Sequence, residues 1–212
     1  MKLFVVPFLF FASHSCGQSS DRKVDSAKVL HRDSLQTAYF AAGCFWCVEA
    51  IFESIDGVEE VYSGYSGGKE KNPTYETVTR GNSLHAETVQ IFYDSTKVTY
   101  DELLSAFFGS HDPSTLNRQG PDYGPQYRSI IFYQNESEKN AAKRQVESLL
   151  NDKIFDEITT QIIPLDIFYK AEIYHQDYEK RNPNNSYIQL VSKPRLDSFK
   201  AKYEGLLKKE QH

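Results

Sequence analysis

Hydrophobic positions along the chain follow two different periods. Residues 39–42 form a short apolar run that predicts a buried strand ending at Gly43, and apolar residues then recur from Phe45 at helical spacing. Residues 58–65 predict a second strand, and residues 86–93 show the alternation that is typical of a half-buried strand. Helix and strand patterns therefore succeed each other from the first folded residues onward.

The second half of the chain adds elements of both kinds. Thr99 and Glu102 form a capping box that opens a helix predicted to end near Phe108, and residues 136–150 predict a polar-faced helix. The two remaining strand patterns cover residues 128–133 and 159–164. Because the strands need not all be parallel, we predict an α+β fold: a mixed sheet with packed helices and a ferredoxin-like α/β sandwich core.

Residues 109–127 follow neither period. Prolines, glycines, aspartates and an asparagine recur through this stretch, which also carries polar side chains such as Asp122 and Tyr127. A structureless loop of more than about 15 residues in a compact domain is usually functional or disordered. We expect this loop to contribute side chains to a functional site.

Composition and charge set the broad class of the protein. The chain has 212 residues, of which 40% are hydrophobic, so it can bury a substantial core in one domain with extensions. Its 24 basic and 29 acidic residues give a net charge of −5, and no basic stripe runs along the sequence. Binding along a phosphate backbone requires such a stripe, so nucleic acid is not an expected partner.

The beginning of the chain has the pattern of a secretory signal. Lys2 precedes an apolar run over residues 3–12, which is too short to span a bilayer, because spanning needs roughly 20 residues. The site that follows resembles the processing site of bacterial lipoproteins, and lipidation of Cys16 would leave the other two cysteines as a pair. An ordinary signal peptide cleaved near Ser15 is the alternative.

These features predict three parts and a location. Residues 1–16 are a signal peptide that ends in the lipidation site Cys16, residues 17–36 are a polar tether, and residues 37–212 are the catalytic domain. The protein is therefore expected to be exported to a bacterial periplasm or cell envelope. Its contact with the membrane would be the lipid anchor alone.

The strongest chemical signal is a Cys-x-x-Cys motif at the predicted strand-to-helix junction. Cys44 stands where the first N–H groups of the helix lack partners, and these groups together with the helix dipole lower the pKa of a thiol. Cys47 falls one turn along the same face, so the two thiols can form a small-ring disulfide that is easily reduced. We predict a catalytic redox pair in which Cys44 is ionised.

Other uses of two nearby cysteines fit the sequence less well. A structural disulfide would join more distant segments, c-type haem attachment requires a histidine where Val48 stands, and zinc deaminases place the cysteines after their His-x-Glu pair. In a thioredoxin-like oxidoreductase, Phe45 and Trp46 would obstruct a docking protein disulfide. A small Cu(I)-binding module with Cys44 and Cys47 as ligands is the alternative from another class.

Glu87 is the second candidate for chemistry. In the predicted strand its side chain shares a face with Val89, Ile91 and Tyr93. If that face is buried, the loss of solvation raises the pKa of the carboxyl group, as a general acid near neutral pH requires. The strand pattern alone is equally consistent with a glutamate at the strand end that reaches solvent.

Several motifs together resemble the A-type peptide-methionine sulfoxide reductases, in the subtype with Cys-Phe-Trp-Cys. The resemblance covers roughly residues 38–194, and a set of separate motifs in one order is far more specific than Cys-x-x-Cys alone. In chain order, the matching segments are Gly43-Cys44-Phe45-Trp46, Tyr65-Ser66-Gly67-Gly68, Asn72-Pro73-Thr74-Tyr75, His85-Ala86-Glu87, His111-Asp112-Pro113, Gln119-Gly120, Asp122, Gln126-Tyr127-Arg128-Ser129, Tyr174-His175-Gln176 and Asn182-Pro183.

The resemblance implies a reaction and a role for each matching residue. It implies thiol-dependent reduction of methionine S-sulfoxide, free or in proteins, with Cys44 as the nucleophile and Glu87 as the general acid. Phe45 and Trp46 would hold the methyl group of the substrate. The groups expected to bind or polarise the sulfoxide oxygen are Tyr75, Asp122 and Tyr127.

Two positions depart from the usual family pattern. Many members have glycine where this chain has Cys47, together with a resolving cysteine near the C-terminus, and no cysteine follows Cys47 here. Cys47 is therefore expected to condense with the Cys44 sulfenic acid. A thioredoxin-type protein or a dithiol would then reduce the disulfide, without a metal or bound cofactor. Leu84 replaces the glycine that usually precedes His85.

Overall fold

The computed structural model describes residues 34–81 and 83–209. The predicted signal peptide, the lipidation site Cys16 and residues 17–33 of the predicted tether lie outside the described residues, and their assignments stay predictions. Gln36, which we assigned to the tether, instead begins the first strand, because its backbone continues the antiparallel pairing of that strand.

A mixed sheet of six strands forms the centre of the domain. The described residues contain eight strands, six in this sheet and two in a separate hairpin. In chain order, they are β1 (Gln36–Ala42), β2 (Val58–Ser66), β3 (Ala86–Tyr93), β4 (Arg118–Gln119), β5 (Asp122–Tyr123), β6 (Ser129–Tyr133), β7 (Gln161–Pro164) and β8 (Tyr169–Lys170). The order across the sheet is β7-β6-β1-β3-β2-β8, and β4 pairs with β5 in a separate hairpin. β6 and β7 run parallel, whereas the other neighbours are antiparallel.

Six α-helices connect or flank these strands in the described part of the chain. They are α1 (Phe45–Glu53), α2 (Tyr75–Thr79), α3 (Tyr100–Ser110), α4 (Glu136–Asn151), α5 (Tyr178–Arg181) and α6 (Lys193–Lys202). A π-helical turn (Ile188–Ser192) leads directly into α6. Among the described residues, no helix combines the length and the apolar character that crossing a membrane requires.

The two faces of the sheet bury different cores. Because successive side chains of a strand point to opposite faces, Ala38, Phe40 and Ala42 of β1 join the main core, where α1 and α3 pack. Tyr39 and Ala41 point the other way, into a smaller cluster that the segment between β7 and β8 covers. Both faces of β1 are therefore buried, and the end of this strand is held rigidly at the point where α1 begins.

The predicted α+β architecture is confirmed in its main elements. The capping box forms as predicted, because the Thr99 hydroxyl accepts from the Glu102 N–H at 3.2 Å while the Glu102 carboxylate accepts from the Thr99 N–H at 2.8 Å. The prediction that residues 109–127 lack regular structure is wrong in part. This stretch contains the β4–β5 hairpin and a short 3₁₀ helix (Pro125–Tyr127), which are too short to produce a periodic pattern.

Candidate active site

The junction between β1 and α1 places the first cysteine. Gly43 connects the two elements with a φ of +88°, and a Cβ atom there would lie 2.7 Å from the Gln119 side chain, so both the turn and the close approach require glycine. Cys44 is the N-cap residue of α1, and its carbonyl accepts from the N–H groups of Cys47 and Val48. The thiol of Cys44 is thereby fixed at the mouth of the helix.

Glu87 lies beside this helix mouth. Its carboxylate accepts a hydrogen bond from the backbone N–H of Phe45 at 2.9 Å, and the residue is 2% exposed. Burial is the main cause that raises the pKa of Glu87 to about 8. The solvent-reaching alternative is therefore wrong, and the predicted acid is a largely protonated carboxyl group at neutral pH.

Cys44 and Cys47 are not joined in a disulfide, and the proton of the pair lies on Cys44, the cysteine that we predicted to be ionised. Burial raises the pKa of Cys44 well above its ordinary value, and the neighbouring Cys47 raises it further. The pKa of Cys47 is lowered to about 6, chiefly because a hydrogen bond from Cys44 stabilises its thiolate, with a further contribution from the positive charge of Arg195. The predicted ionisation of Cys44 is thus wrong for the free protein. The physical reason is that the Cys44 thiol is buried, and removal from solvent disfavours its charged form more than the helix mouth favours it.

An aromatic slot adjoins the thiol. The Trp46 ring stacks on Tyr178 with centroids 3.7 Å apart and 8° between the planes, and its Nε1–H donates to His175 Nδ1 at 3.1 Å. The ring of Phe45 is almost fully buried, with its centroid 6.3 Å from that of Trp46. Because both rings are held by neighbours, the slot has a fixed shape that suits a small apolar group.

A cavity of about 320 Å³ unites the candidate residues. It contains every predicted substrate-binding residue together with Cys44 and Glu87, whereas Cys47 is 1% exposed and does not line it. The lining side chains are Cys44, Phe45, Trp46, Tyr75, Glu87, Asp122, Tyr127, Asn185, Ser186 and Tyr187.

The hydroxyl groups of this cavity are available as donors. Burial raises the pKa of Tyr75 to about 12 and also raises that of Tyr127, so both phenols keep their protons at neutral pH. The Tyr187 hydroxyl donates to the Asp122 carboxylate at 2.5 Å and lies 3.9 Å from the Cys47 sulfur. An oxygen atom that enters the cavity can therefore meet phenolic donors and a protonated carboxyl group.

A larger concavity of about 830 Å³ lies elsewhere, between α3, α4 and the end of α6. Its lining includes Phe108, Leu149, Phe155 and Tyr203, and it contains neither Cys44 nor Glu87. Cys44, the buried acid and the donors meet in the smaller cavity, so we place the chemistry there.

Several residues of the C-terminal part complete the site although the sequence analysis gave them no role. Glu172 accepts from the Tyr65 hydroxyl at 2.8 Å and from the Tyr75 N–H at 2.9 Å, and Arg195 donates to the Ala42 carbonyl at 2.8 Å. The motif around His175 marked this region. Nothing in the sequence pattern could have paired Arg195 with a residue 153 positions away.

Two of the matching motifs have a structural use here. The His85 imidazole accepts from the Gly68 N–H at 3.1 Å, and a Cβ atom on Gly68 would lie 2.5 Å from that ring. Leu84, the departure from the family pattern, has a φ of +57°, which glycine adopts without strain. The unusual leucine therefore adopts a left-handed backbone directly before His85.

Fold and site together define a class of protein. A thiol at a helix mouth, a second thiol of lowered pKa one turn behind it, and a buried carboxyl group in the cavity of the first thiol are the parts of a thiol-dependent redox enzyme.

Comparisons with known proteins specify this class. The sequence matches the family of peptide methionine sulfoxide reductases over residues 36–207. It is 48% identical to peptide methionine sulfoxide reductase MsrA of Acinetobacter baumannii over 174 residues, which are 82% of this chain and 99% of that protein. The crystal structure of Mxr1 from Saccharomyces cerevisiae in reduced form is similar with a TM-score of 0.66 and 33% identity, covering 72% of this chain and 88% of that chain. Methionine sulfoxide reductase A of Corynebacterium diphtheriae gives a TM-score of 0.64 and 34% identity, covering 72% and 77% respectively.

The chain belongs to the peptide methionine sulfoxide reductase family. The family resemblance and the predicted α+β fold are both confirmed by these matches. The match extends far beyond the length of a small metal-binding module, so the Cu(I)-binding alternative is not supported.

Proposed function

We propose that the protein reduces the S epimer of methionine sulfoxide to methionine, with Cys44 as the nucleophile, Cys47 as the resolving thiol and Glu87 as the general acid. Family membership supplies the reaction, thiol-dependent reduction of methionine sulfoxide. The observation that carries the assignment of roles is the single cavity in which Cys44, Glu87 and the Phe45–Trp46 slot meet.

The substrate enters with its methyl group in the slot between Phe45 and Trp46. Its oxygen then lies among Tyr75, Tyr127 and the protonated Glu87, whose hydrogen bonds make the sulfur electrophilic and stabilise the negative charge that develops on oxygen. These donors are fixed before the substrate arrives, so little reorganisation accompanies the reaction.

The shared proton of the cysteine pair supports a route to the nucleophile. Transfer of the proton from Cys44 to the Cys47 thiolate creates a Cys44 thiolate facing the sulfoxide. The Cys44 thiolate attacks the sulfoxide sulfur, and Glu87 protonates its oxygen. The oxygen then passes to the Cys44 sulfur as its bond to the substrate sulfur breaks, so that methionine leaves and Cys44 is oxidised to a sulfenic acid. No external oxidant or reductant enters this step.

The second step forms a disulfide and water. The Cys47 thiol attacks the Cys44 sulfur of the sulfenic acid, and the S–O bond breaks. The oxygen leaves as water: one of its protons came from Glu87 in the first step, and the other comes from the Cys47 thiol. A thioredoxin-type protein or a dithiol then exchanges with the Cys44–Cys47 disulfide, returns two electrons and leaves both thiols reduced. No bound cofactor is needed, because all electrons pass through sulfur.

Epimer-resolved turnover tests this function. Wild-type protein with dithiothreitol should consume the S epimer of methionine sulfoxide and leave the R epimer, and Cys44→Ser should lose at least about 10³-fold of the S activity. Chiral chromatography of the remaining sulfoxide provides the measurement. Consumption of both epimers, or activity retained in Cys44→Ser, would remove the proposal.

We also propose that the protein is exported and held at the membrane by a lipid on Cys16. The support is the apolar run after Lys2, its length and the small residues before Cys16, all of which lie outside the described residues. Cys16→Ser should move the protein from the membrane fraction to the soluble periplasmic fraction. Unchanged membrane partitioning would leave the protein without its proposed anchor.

A further inference from the structure

One face of α1 carries a buried carboxyl group that the proposed mechanism does not use. Trp46, Glu49 and Glu53 recur on this face at three- to four-residue spacing, and the face packs against residues 177–180. Glu49 is 2% exposed, although glutamate is seldom fully buried without specific partners. Its partners therefore indicate what the group does.

Glu49 belongs to a closed ring of hydrogen bonds. Its Oε1 accepts from the N–H of Asp177 at 3.1 Å, and its Oε2 accepts from the hydroxyl of Ser63 at 3.1 Å. The Gln176 side chain closes the ring, because its Oε1 accepts from the Ser63 N–H and its Nε2 donates to the Ser63 carbonyl, both at 3.0 Å. The ring ties α1 and β2 to the segment that precedes α5.

This ring holds the backbone at a strained point. Asp177 has a φ of +51°, a left-handed conformation that a residue other than glycine adopts only at some cost. The turn lies between His175, which accepts the hydrogen bond of the Trp46 indole, and Tyr178, on which the indole stacks. The position of the indole thus depends on a turn whose N–H is held by Glu49.

We propose that Glu49 is a positioning residue for the methyl-binding slot: through the Asp177 N–H it fixes the turn that presents His175 and Tyr178 to Trp46. Binding of the substrate methyl group beside Trp46 rests on the proposed function. The dependence of the Trp46 indole position on Glu49 does not.

The chain offers a matched control on the same helix face. Glu53 also reaches the 177–180 segment, where it pairs with Lys180 at 2.8 Å, but the Lys180 side chain is 61% exposed. The Glu53 side chain is 17% exposed, but its partner is open to solvent, and such an ion pair contributes little to a fixed geometry because solvent and side-chain freedom compete with it. Loss of Glu53 should therefore leave the turn at Asp177 in place.

A conservative variant separates hydrogen bonding from charge. Burial raises the pKa of Glu49 to about 8, so the group is largely protonated at neutral pH. In Glu49→Gln the amide oxygen can still accept from Asp177, and the amide nitrogen can donate to the Ser63 hydroxyl. Glu49→Met has similar length and lacks the acceptor.

Fluorescence of Trp46 reads the proposal directly, because it is the single tryptophan of the chain. In Glu49→Met we expect red-shifted emission, about twofold stronger acrylamide quenching and a loss of about tenfold in kcat/KM, since small misplacements of a substrate-binding group are costly. Glu49→Gln and Glu53→Met should stay within about twofold of wild type in kcat/KM and keep its emission spectrum.

A second background decides whether the effect runs through the indole. In a protein that already carries Trp46→Phe, adding Glu49→Met should lower kcat/KM by less than about twofold, because the effects of coupled residues are not additive. Unchanged emission in Glu49→Met, or an undiminished tenfold loss of kcat/KM with Trp46→Phe, would overturn the proposal.

If Glu49→Met does not fold, Ser63→Ala replaces it, because this variant deletes one hydroxyl of the ring. The same red shift is expected, and native emission would overturn the proposal. Failure of the wild type to reduce sulfoxide removes the proposed function and leaves the fluorescence comparison intact.

Discussion

Two regions build the site in different ways. The junction of β1 with α1 places Cys44, Phe45, Trp46 and Cys47 within a single helical turn, so the reactive groups are neighbours in sequence. Residues 172–195 supply no thiol, yet their side chains hold the indole, the Asp122 carboxylate and the backbone before the helix. The two reactive sulfur atoms are thus close in sequence, whereas the geometry that makes them useful depends on long-range contacts.

Substitutions at the junction should abolish steps of the cycle, and we expect the greatest loss at Cys47. Cys47→Ser removes the thiol that condenses with the sulfenic acid, so steady-state turnover with a thioredoxin-type reductant should fall by at least about 10³-fold. A single turnover should still release about one methionine per enzyme. Rapid-quench measurement of methionine against enzyme concentration checks both, and full cycling in this variant would contradict the resolving role.

Glu87 comes from β3, the strand next to β1, and lies beside the same helix mouth as Cys44. Glu87→Gln keeps the acceptor for the Phe45 N–H and removes the transferable proton, so the single-turnover rate should fall by about 100-fold. In the wild type this rate should decline as pH rises through about 8, because only the protonated carboxyl group can donate. The variant should lose that decline. An equally fast variant with the wild-type pH profile would exclude Glu87 as the acid.

Substitutions in the C-terminal region should weaken the geometry without abolishing the chemistry. His175→Leu removes the acceptor of the Trp46 Nε1–H, and we expect kcat/KM to fall by about tenfold. The rate at which Cys44 is alkylated should stay the same. His175→Asn, whose amide oxygen can stand near the Nδ1 position, should recover most of the loss. Steady-state kinetics with a sulfoxide peptide compare the two. Equal losses in both variants would mean that the hydrogen bond is not what matters.

The mildest change is expected at Tyr187. Tyr187→Phe deletes the hydrogen bond to Asp122 and the contact with the Cys47 sulfur, while the ring keeps its place beside Trp46. We expect a rise in KM of about threefold and a higher pKa for Cys47, because the hydroxyl helps to lower that pKa. The ultraviolet absorbance of the Cys47 thiolate against pH, recorded for Tyr187→Phe and for wild type, measures the second effect. A pKa that stays the same would remove Tyr187 from the environment of the thiolate.

The sequence pattern predicted the local region well. The change from a strand period to a helical period at Gly43 located the helix mouth, and the alternation around Glu87 placed this residue on a face that proved to be buried. Both predictions depend on residues that are close together along the chain. The family motifs then brought Tyr75, Asp122 and Tyr127 to the same cavity, which their spacing alone could not do.

The rest could not be predicted, for two physical reasons. The strands of the β4–β5 hairpin and the helix α5 are only two to four residues long, which is too short for a period to appear. Cys44 keeps its proton chiefly because the folded chain buries its thiol, with smaller contributions from Cys47 and Glu87, so a rule based on the helix mouth alone gave the wrong charge state. Contacts of this kind are visible only in three dimensions.

The most direct test of the catalytic assignment is to locate the oxidised sulfur after one turnover. Wild-type protein given one equivalent of methionine S-sulfoxide without reductant should show, by peptide mass spectrometry, a Cys44–Cys47 disulfide. Cys47→Ser with a sulfenic-acid trap should carry the adduct on Cys44 alone. An adduct on another residue, or methionine released while Cys44 remains an unmodified thiol, would contradict the account.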